Sequence, residues 1–305
     1  MSDKSKIEWT EASWNCVTGC TKVSAGCDHC YAETFAERWR GIPGHHFEQG
    51  FDVRLWPERL DIPRRWTRPR RIFVNSMSDA FHDAVPDSFL DDMFAVMADC
   101  QQHTFQLLTK RHARMRSYLT NAWPDPLPNV HVGVSAEDQG WAVKRVHALL
   151  ATPAAVRWVS AEPLLGPIDL RNLKMGNGAL IDALCGDVKS PKGEIYAACP
   201  GSVAWVVAGG ESGPGARPMH PAWARSLRDQ CKAARTPFFF KQFGAWRPLR
   251  NGEYPPPGET VTMHERGAQS DPILVRHGGK NGDPDRWPTD LQVREYPGIA
   301  QGAAA

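Results

Sequence analysis

The chain has 305 residues, 42 % of them apolar and 23 % charged, with a net charge of +2. That size suits one large α/β barrel or two ordinary domains, and the composition is enough for a full core. No apolar run approaches the roughly 20 residues that span a membrane, and Met1-Ser-Asp-Lys-Ser-Lys leads into Ile7-Glu-Trp9 without a secretory apolar region, so a cytoplasmic protein without membrane association is expected. In chain order, a weak strand falls near Ile7–Val17, four cysteines crowd into residues 16–30, and a helix follows at Tyr31–Arg40, with Phe35 and Trp39 at i, i+4 and Gly41 placed to cap it. A second weak strand lies at Phe51–Trp56. Apolar, β-branched runs then recur at Arg71–Asn75, Thr104–Thr109, Asn129–Ser135, Val156–Ser160, Val203–Ala208 and Pro237–Lys241, the pattern of buried parallel strands.

Helices are predicted over 87–100 and Trp141–Ala151, and from Pro221 to shortly before Pro237, each with one apolar face. Alternating strands and helices imply right-handed crossovers and a parallel sheet. Six good strands and two weak ones suit a partial or complete (β/α) barrel of the TIM-like kind. Residues 172–202, rich in Gly, Lys and Asp, read as an insertion. Residues 248–305, rich in Pro, Gly and charge, read as an irregular C-terminal extension. The barrel itself is expected over 1–247.

The cysteines carry the strongest functional signal. Cys20, Cys27 and Cys30 stand in the run Gly19-Cys20-Thr-Lys-Val-Ser-Ala-Gly-Cys27-Asp-His-Cys30-Tyr31. A disulfide framework is improbable in a cytosolic chain of this length, and clustered thiols point instead to metal. Three thiolates can hold three irons of a [4Fe-4S] cluster and leave the fourth open to chemistry. The competing reading adds Cys16 to make a tetrahedral four-cysteine zinc site. Zinc ribbons, however, usually pair two short knuckles across a longer loop, and the six-residue gap here is short for that.

The pattern Cys-x6-Cys-x2-Cys-Tyr before a (β/α) series resembles a variant of the radical S-adenosylmethionine (SAM) signature, whose usual first gap is three residues. More of the chain, from about residue 7 to about 247, resembles a phage-associated radical-SAM-like family. The shared stretches are Ile7-Glu-Trp-Thr10, Val17-Thr-Gly-Cys20, Phe73-Val-Asn-Ser-Met-Ser-Asp79, Leu107-Leu-Thr-Lys-Arg111, Gly133-Val-Ser135, Glu162-Pro-Leu-Leu-Gly166, Gly209-Gly-Glu-Ser-Gly-Pro-Gly-Ala-Arg-Pro218 and Phe239-Phe-Lys-Gln242. Often proline stands in that family where this chain has Cys16, which argues against Cys16 as a ligand. A looser resemblance is to radical SAM lyases of the spore photoproduct type.

The resemblance implies a cluster on Cys20, Cys27 and Cys30, with SAM on its open iron. One electron would split the sulfonium to give a radical that takes hydrogen from a substrate. An electron donor of the flavodoxin or ferredoxin type is implied as partner. Tyr31, after the last ligand, is then expected near the adenine.

Polar residues follow nearly every strand, and in a (β/α) barrel the strand C-termini form the active face. Asn75, Ser76, Ser78 and Asp79 are candidates for binding SAM, with Ser135, Gly209 and Gly210. Lys110, Glu162, Glu211 and Lys241 are candidates for catalysis. The glycines are expected to allow close approach of a ligand. Basic runs at Pro63–Arg71 and Lys110–Arg116, with Trp66 interleaved, would suit a phosphate backbone. A DNA, RNA or nucleotide substrate is therefore expected. A zinc-stabilised, non-catalytic nucleic-acid-binding protein or partner subunit is the alternative. Iron content separates the two.

Overall fold

The computed structural model describes residues 4–249, 260–262, 272–276 and 282–298. Seven parallel strands make the main sheet: β1 (Ala12–Trp14), β2 (Arg71–Val74), β3 (Thr104–Thr109), β4 (Val130–Ser135), β5 (Val156–Ala161), β6 (Trp205–Gly209) and β7 (Phe238–Gln242), adjacent in sequence order. Five helices accompany them: α1 (Tyr31–Glu37), α2 (Asp87–Asp99), α3 (His112–Ala122), α4 (Gln139–Leu150) and α5 (Pro221–Ala234).

The sheet curls, and the reason lies in alternation along its strands. Successive side chains point to opposite faces. Ile72 and Val74, Val159 and Ala161, Val206 and Ala208, Phe238 and Phe240 join the large outer core under the helices. Residues that alternate with them, Phe73, Trp158, Trp205, Val207 and Phe239, turn inward and pack with Trp9. The Trp9 ring lies 4.7 Å from Phe73 on β2 and 6.0 Å from Trp205 on β6. In a flat sheet those strands would be about 19 Å apart, four spacings of roughly 4.8 Å. One indole reaches both only because the sheet wraps around it. The result is a half-barrel whose inside is filled by aromatic rings, each pair adding on the order of 1 kcal/mol beyond area burial.

Several expectations need correction. The weak strand at Phe51–Trp56 is only Arg54–Leu55, and it pairs antiparallel with Val17–Thr18 outside the main sheet. α1 stops at Glu37, and Trp39 beyond it stacks on His45 instead. α3 was not expected at all. The 172–202 insertion is a four-stranded antiparallel sheet that stands where a crossover helix would join β5 to β6.

Much of the 248–305 extension lies outside the described residues. The described part holds strands and short turns: Trp246–Pro248, Thr260–Thr262 and Ile273–Arg276 form a small antiparallel sheet, and Pro284–Arg286 and Thr289–Leu291 are 3-10 turns. Residues 293–295 run antiparallel along β7, through Phe240 N to Val293 O (2.8 Å) and Glu295 N to Phe238 O (2.9 Å). The free edge of β7 is thereby covered. Tyr296 then stacks on Trp205 at the lower end of the half-barrel. No helix among the described residues is long and apolar enough to cross a membrane.

Candidate active site

The cysteine loop lies over the C-terminal ends of the strands. Cys20 follows the short strand Val17–Thr18, Cys27 closes a 3-10 turn, and Cys30 is the residue before α1. All three thiols are partly exposed. Cys16 is different: it is buried in the outer core, and its Sγ donates to Asn75 Oδ1 at 3.7 Å. Burial, then the negative charge of Asp79, pushes the Cys20 thiol up to about 12, while Arg111 works in the opposite direction. Among the described residues, no three His, Cys, Asp or Glu side chains are gathered as for a single metal ion.

Beneath the loop is a cavity of about 260 Å³. Its floor is apolar, made by Trp9, Phe73 and Leu108. Its walls carry Lys110, Ser135, Glu162, Glu211, Lys241 and Gln242 from the ends of β3 to β7, and Cys30 and Tyr31 stand at its rim. Glu162 and Lys241 pair at 2.9 Å, both largely buried, and Ser160 Oγ donates to the other Glu162 oxygen at 3.1 Å. Glu211 accepts from Arg217 at 2.6 Å. Lys110 Nζ donates to the neutral Ser135 hydroxyl at 3.2 Å and, among the described residues, has no carboxylate in salt-bridge range. A half-buried ammonium without a counter-ion favours an anionic ligand group.

A larger cavity, about 840 Å³, opens at the other end of the sheet, between α5, the start of β7 and residues 289–296. It shares no lining residue with the smaller one. In parallel α/β folds chemistry gathers at the strand C-termini, so the candidate site is the smaller cavity under the cysteine loop.

A family model described as "Protein of unknown function (DUF5131)" matches residues 4–282. The chain belongs to this DUF5131 family. No curated protein matches the DUF5131 chain in sequence. Among solved structures, it is similar to spore photoproduct lyase complexed with dinucleoside spore photoproduct, at 12 % identity and a TM-score of 0.41, covering 90 % of this chain and 71 % of that one. A cysteine-to-serine mutant of that lyase gives 12 % and 0.42, with the same coverage. A form with bound AdoMet and dinucleoside spore photoproduct gives 10 % and 0.41, again over 90 % and 71 %.

In this DUF5131 chain, Cys30, Tyr31, Lys110, Ser135, Glu162, Gly210, Glu211 and Lys241 meet around one cavity. The group after β2 does not join them there. Ser76 Oγ donates to Asn15 Oδ1 at 3.2 Å, and Ser78 Oγ to the Val17 carbonyl at 2.9 Å. Asn75 Oδ1 accepts from Val17 N at 3.3 Å. Buried Asp79 accepts from Thr109 Oγ1 (2.8 and 2.9 Å), Lys110 N (3.0 Å) and Phe81 N (3.0 Å). These side chains tie strand ends together.

The two glycines also serve the chain itself. A Cβ on Gly210 would sit 2.0 Å from the Phe243 carbonyl oxygen, and one on Gly209 would sit 2.9 Å from Glu162 Oε1. The close approach that Gly210 permits is to backbone. The floor residues Trp9, Phe73 and Leu108 were not singled out from the sequence, although strand alternation puts Phe73 on the inner face. Arg217 was missed as a partner of Glu211, and no local spacing rule reveals that pair.

Proposed function

We propose that this chain is a radical SAM enzyme, and that its half-barrel is the core of a TIM-like (β/α) barrel of that kind. On this reading its family resembles the phage-associated radical-SAM-like proteins whose motifs the chain shares. The single observation that carries the reading is a three-thiol loop above a cavity whose polar walls come from five successive strand ends. The donor set fits an iron–sulfur cluster. Three soft sulfur donors lie on one eleven-residue stretch, and the fourth nearby thiol, Cys16, faces the core.

Cys20, Cys27 and Cys30 would hold the cluster. When bound, the [4Fe-4S] cluster supplies the electron that cleaves SAM reductively, drawn from a donor of the flavodoxin or ferredoxin type. The chain's own residues bind, orient and exclude water. Lys110, whose ammonium has no carboxylate partner among the described residues, offers it to a carboxylate or phosphate, with Ser135 holding it in place. Tyr31 offers a ring at the rim, 57 % exposed, for stacking on a base. Glu162, Lys241 and Glu211 present proton-carrying groups to a substrate on the apolar floor. A cluster of this type and free thiols suit a reducing cytoplasm.

A nucleic acid or nucleotide remains the substrate class we favour, on the exposed ring of Tyr31 at the cavity rim. The basic runs give it no support. Pro63–Arg70 precede β2 and so lie at the opposite end of the sheet, where Arg64 pairs with Asp61 and Asp99. In the other run, Arg111 donates to Thr21, and Arg114 to the His82 and Val85 carbonyls and Asp87.

Anaerobic reconstitution tests the proposal. The expected result is a brown protein with about four irons per chain that releases 5′-deoxyadenosine when reduced with SAM. A colourless protein binding one zinc would overturn it.

A further inference from the structure

We propose that Arg111, Glu137 and Arg217 are positioning residues that hold the three-cysteine loop in register over the strand ends, so that less of the loop has to be ordered when iron binds. The inference rests on the cluster reading above. Each of the three reaches the loop beside a cysteine, and each follows a different strand, Arg217 from the loop between β6 and α5. Arg111, after β3, donates to Thr21 O at 3.2 Å and Thr21 Oγ1 at 2.7 Å, next to Cys20. Glu137, after β4, accepts from Gly26 N at 3.3 Å, next to Cys27. Arg217, beyond β6, donates to Ala25 O at 2.8 Å and Asp28 Oδ2 at 3.1 Å, on the two flanks of Cys27.

Two of these contacts are braced from behind. Glu137 is fully buried and takes a 2.6 Å hydrogen bond from Arg145, itself fully buried, whose NH1 also donates to Ser135 O. Such a pair is costly to break, so the Gly26 contact has a rigid base. Arg217 is fixed by Glu211 through its backbone N (2.8 Å), Nε (2.9 Å) and NH2 (2.6 Å). A loop of this length, with partly exposed thiols, would otherwise have to be ordered during ligation, and the ordering entropy would weaken the site. Gly26 itself shows how close the seat is. A Cβ there would stand 3.1 Å from the Glu137 carboxyl carbon.

The test uses the full chain and turns on Arg217 and its loop partner Asp28, both partly exposed. Arg217→Gln removes the charged fork, while Arg217→Lys keeps the charge and part of the reach. Asp28→Asn weakens only the loop side. Iron content of the wild type decides the cluster reading. The ratio of variant to wild type decides the clamp.

With cluster bound, Arg217→Gln is expected to lose iron to a chelator roughly tenfold faster and to broaden the EPR signal of the reduced protein. Arg217→Lys and Asp28→Asn should fall between it and wild type. Arg217→Gln also strands the buried Glu211 carboxylate and should lower the melting temperature of metal-free protein, whereas Asp28→Asn leaves that pair intact and should melt as wild type, so iron loss in Asp28→Asn carries the test of the clamp. If the wild type holds no iron, the same comparison is read on metal-free protein, as the alkylation rates of Cys27 and Cys30, which should rise roughly tenfold in Arg217→Gln. Wild-type iron retention in Arg217→Gln, or wild-type alkylation rates where no iron binds, would overturn the clamp. So would iron loss that is confined to Arg217→Gln and merely follows its lower melting temperature.

Discussion

The polar residues after β2 and those after β5, β6 and β7 look alike in sequence and behave differently in space. Asn75, Ser76, Ser78 and Asp79 find partners in Asn15, Val17 and Thr109, residues of the neighbouring strand ends. Glu162, Lys241 and Glu211 find charged partners too, but they do so on the wall of a cavity. A short polar side chain at a strand end is most stable when it closes backbone groups that water cannot reach. A long charged one keeps part of its hydrogen-bonding capacity for something else. The difference teaches that placement after a strand marks position, and that the remaining capacity of the group marks a site.

The cysteines give the sharpest way to break that comparison. Cys20→Ala, Cys27→Ala and Cys30→Ala are each expected to abolish iron binding. Cys16→Ala should bind iron in full and lose only about 1 kcal/mol of stability, since its thiol is wholly buried and serves Asn75. Iron per chain after anaerobic reconstitution, read beside urea unfolding, decides it. Loss of iron in Cys16→Ala would mean that the buried thiol leaves the core to become a ligand.

Asp79 and Lys110 are neighbours with opposite expected phenotypes. Asp79→Ala strands two buried backbone N–H groups and the Thr109 hydroxyl, and should cost about 3 kcal/mol. Lys110→Met removes a charge whose protein partner is a neutral hydroxyl. Its stability should stay within about 0.5 kcal/mol, while 5′-deoxyadenosine release falls by roughly one to two orders of magnitude. A stable Asp79→Ala protein with weakened SAM binding would move Asp79 to the other half of the rim.

How much of this was legible in the sequence follows from the range of the interactions. The strands at 71, 104, 130, 156, 205 and 238 announce themselves because a strand buried on both faces must be an apolar run. α3 is obscured because only Met115, Tyr118 and Leu119 are buried in it, among arginines and other polar residues. The small sheet at 173–198 hides for a related reason: its strands are two to four residues long and partly exposed. The three cysteines stand out in the chain because their spacing is local. The engagement of Asp79 by Thr109, thirty residues away, and of Arg217 by Asp28, across 189 residues, is not local, and no pattern in the chain encodes it.

Ser78→Ala is the mildest test and the most direct on the β2 half. Its hydroxyl donates to the Val17 carbonyl at 2.9 Å, in the short strand that leads into the cysteine loop, and Gly19 bridges to Ser78 as well. Removing one such hydrogen bond should cost about 1 kcal/mol. If the hydroxyl serves the chain alone, SAM affinity measured by calorimetry on the reconstituted protein stays at the wild-type value. A weakened affinity at unchanged stability would show that Ser78 also faces the ligand, and the division of the rim would have to be redrawn on its β2 side.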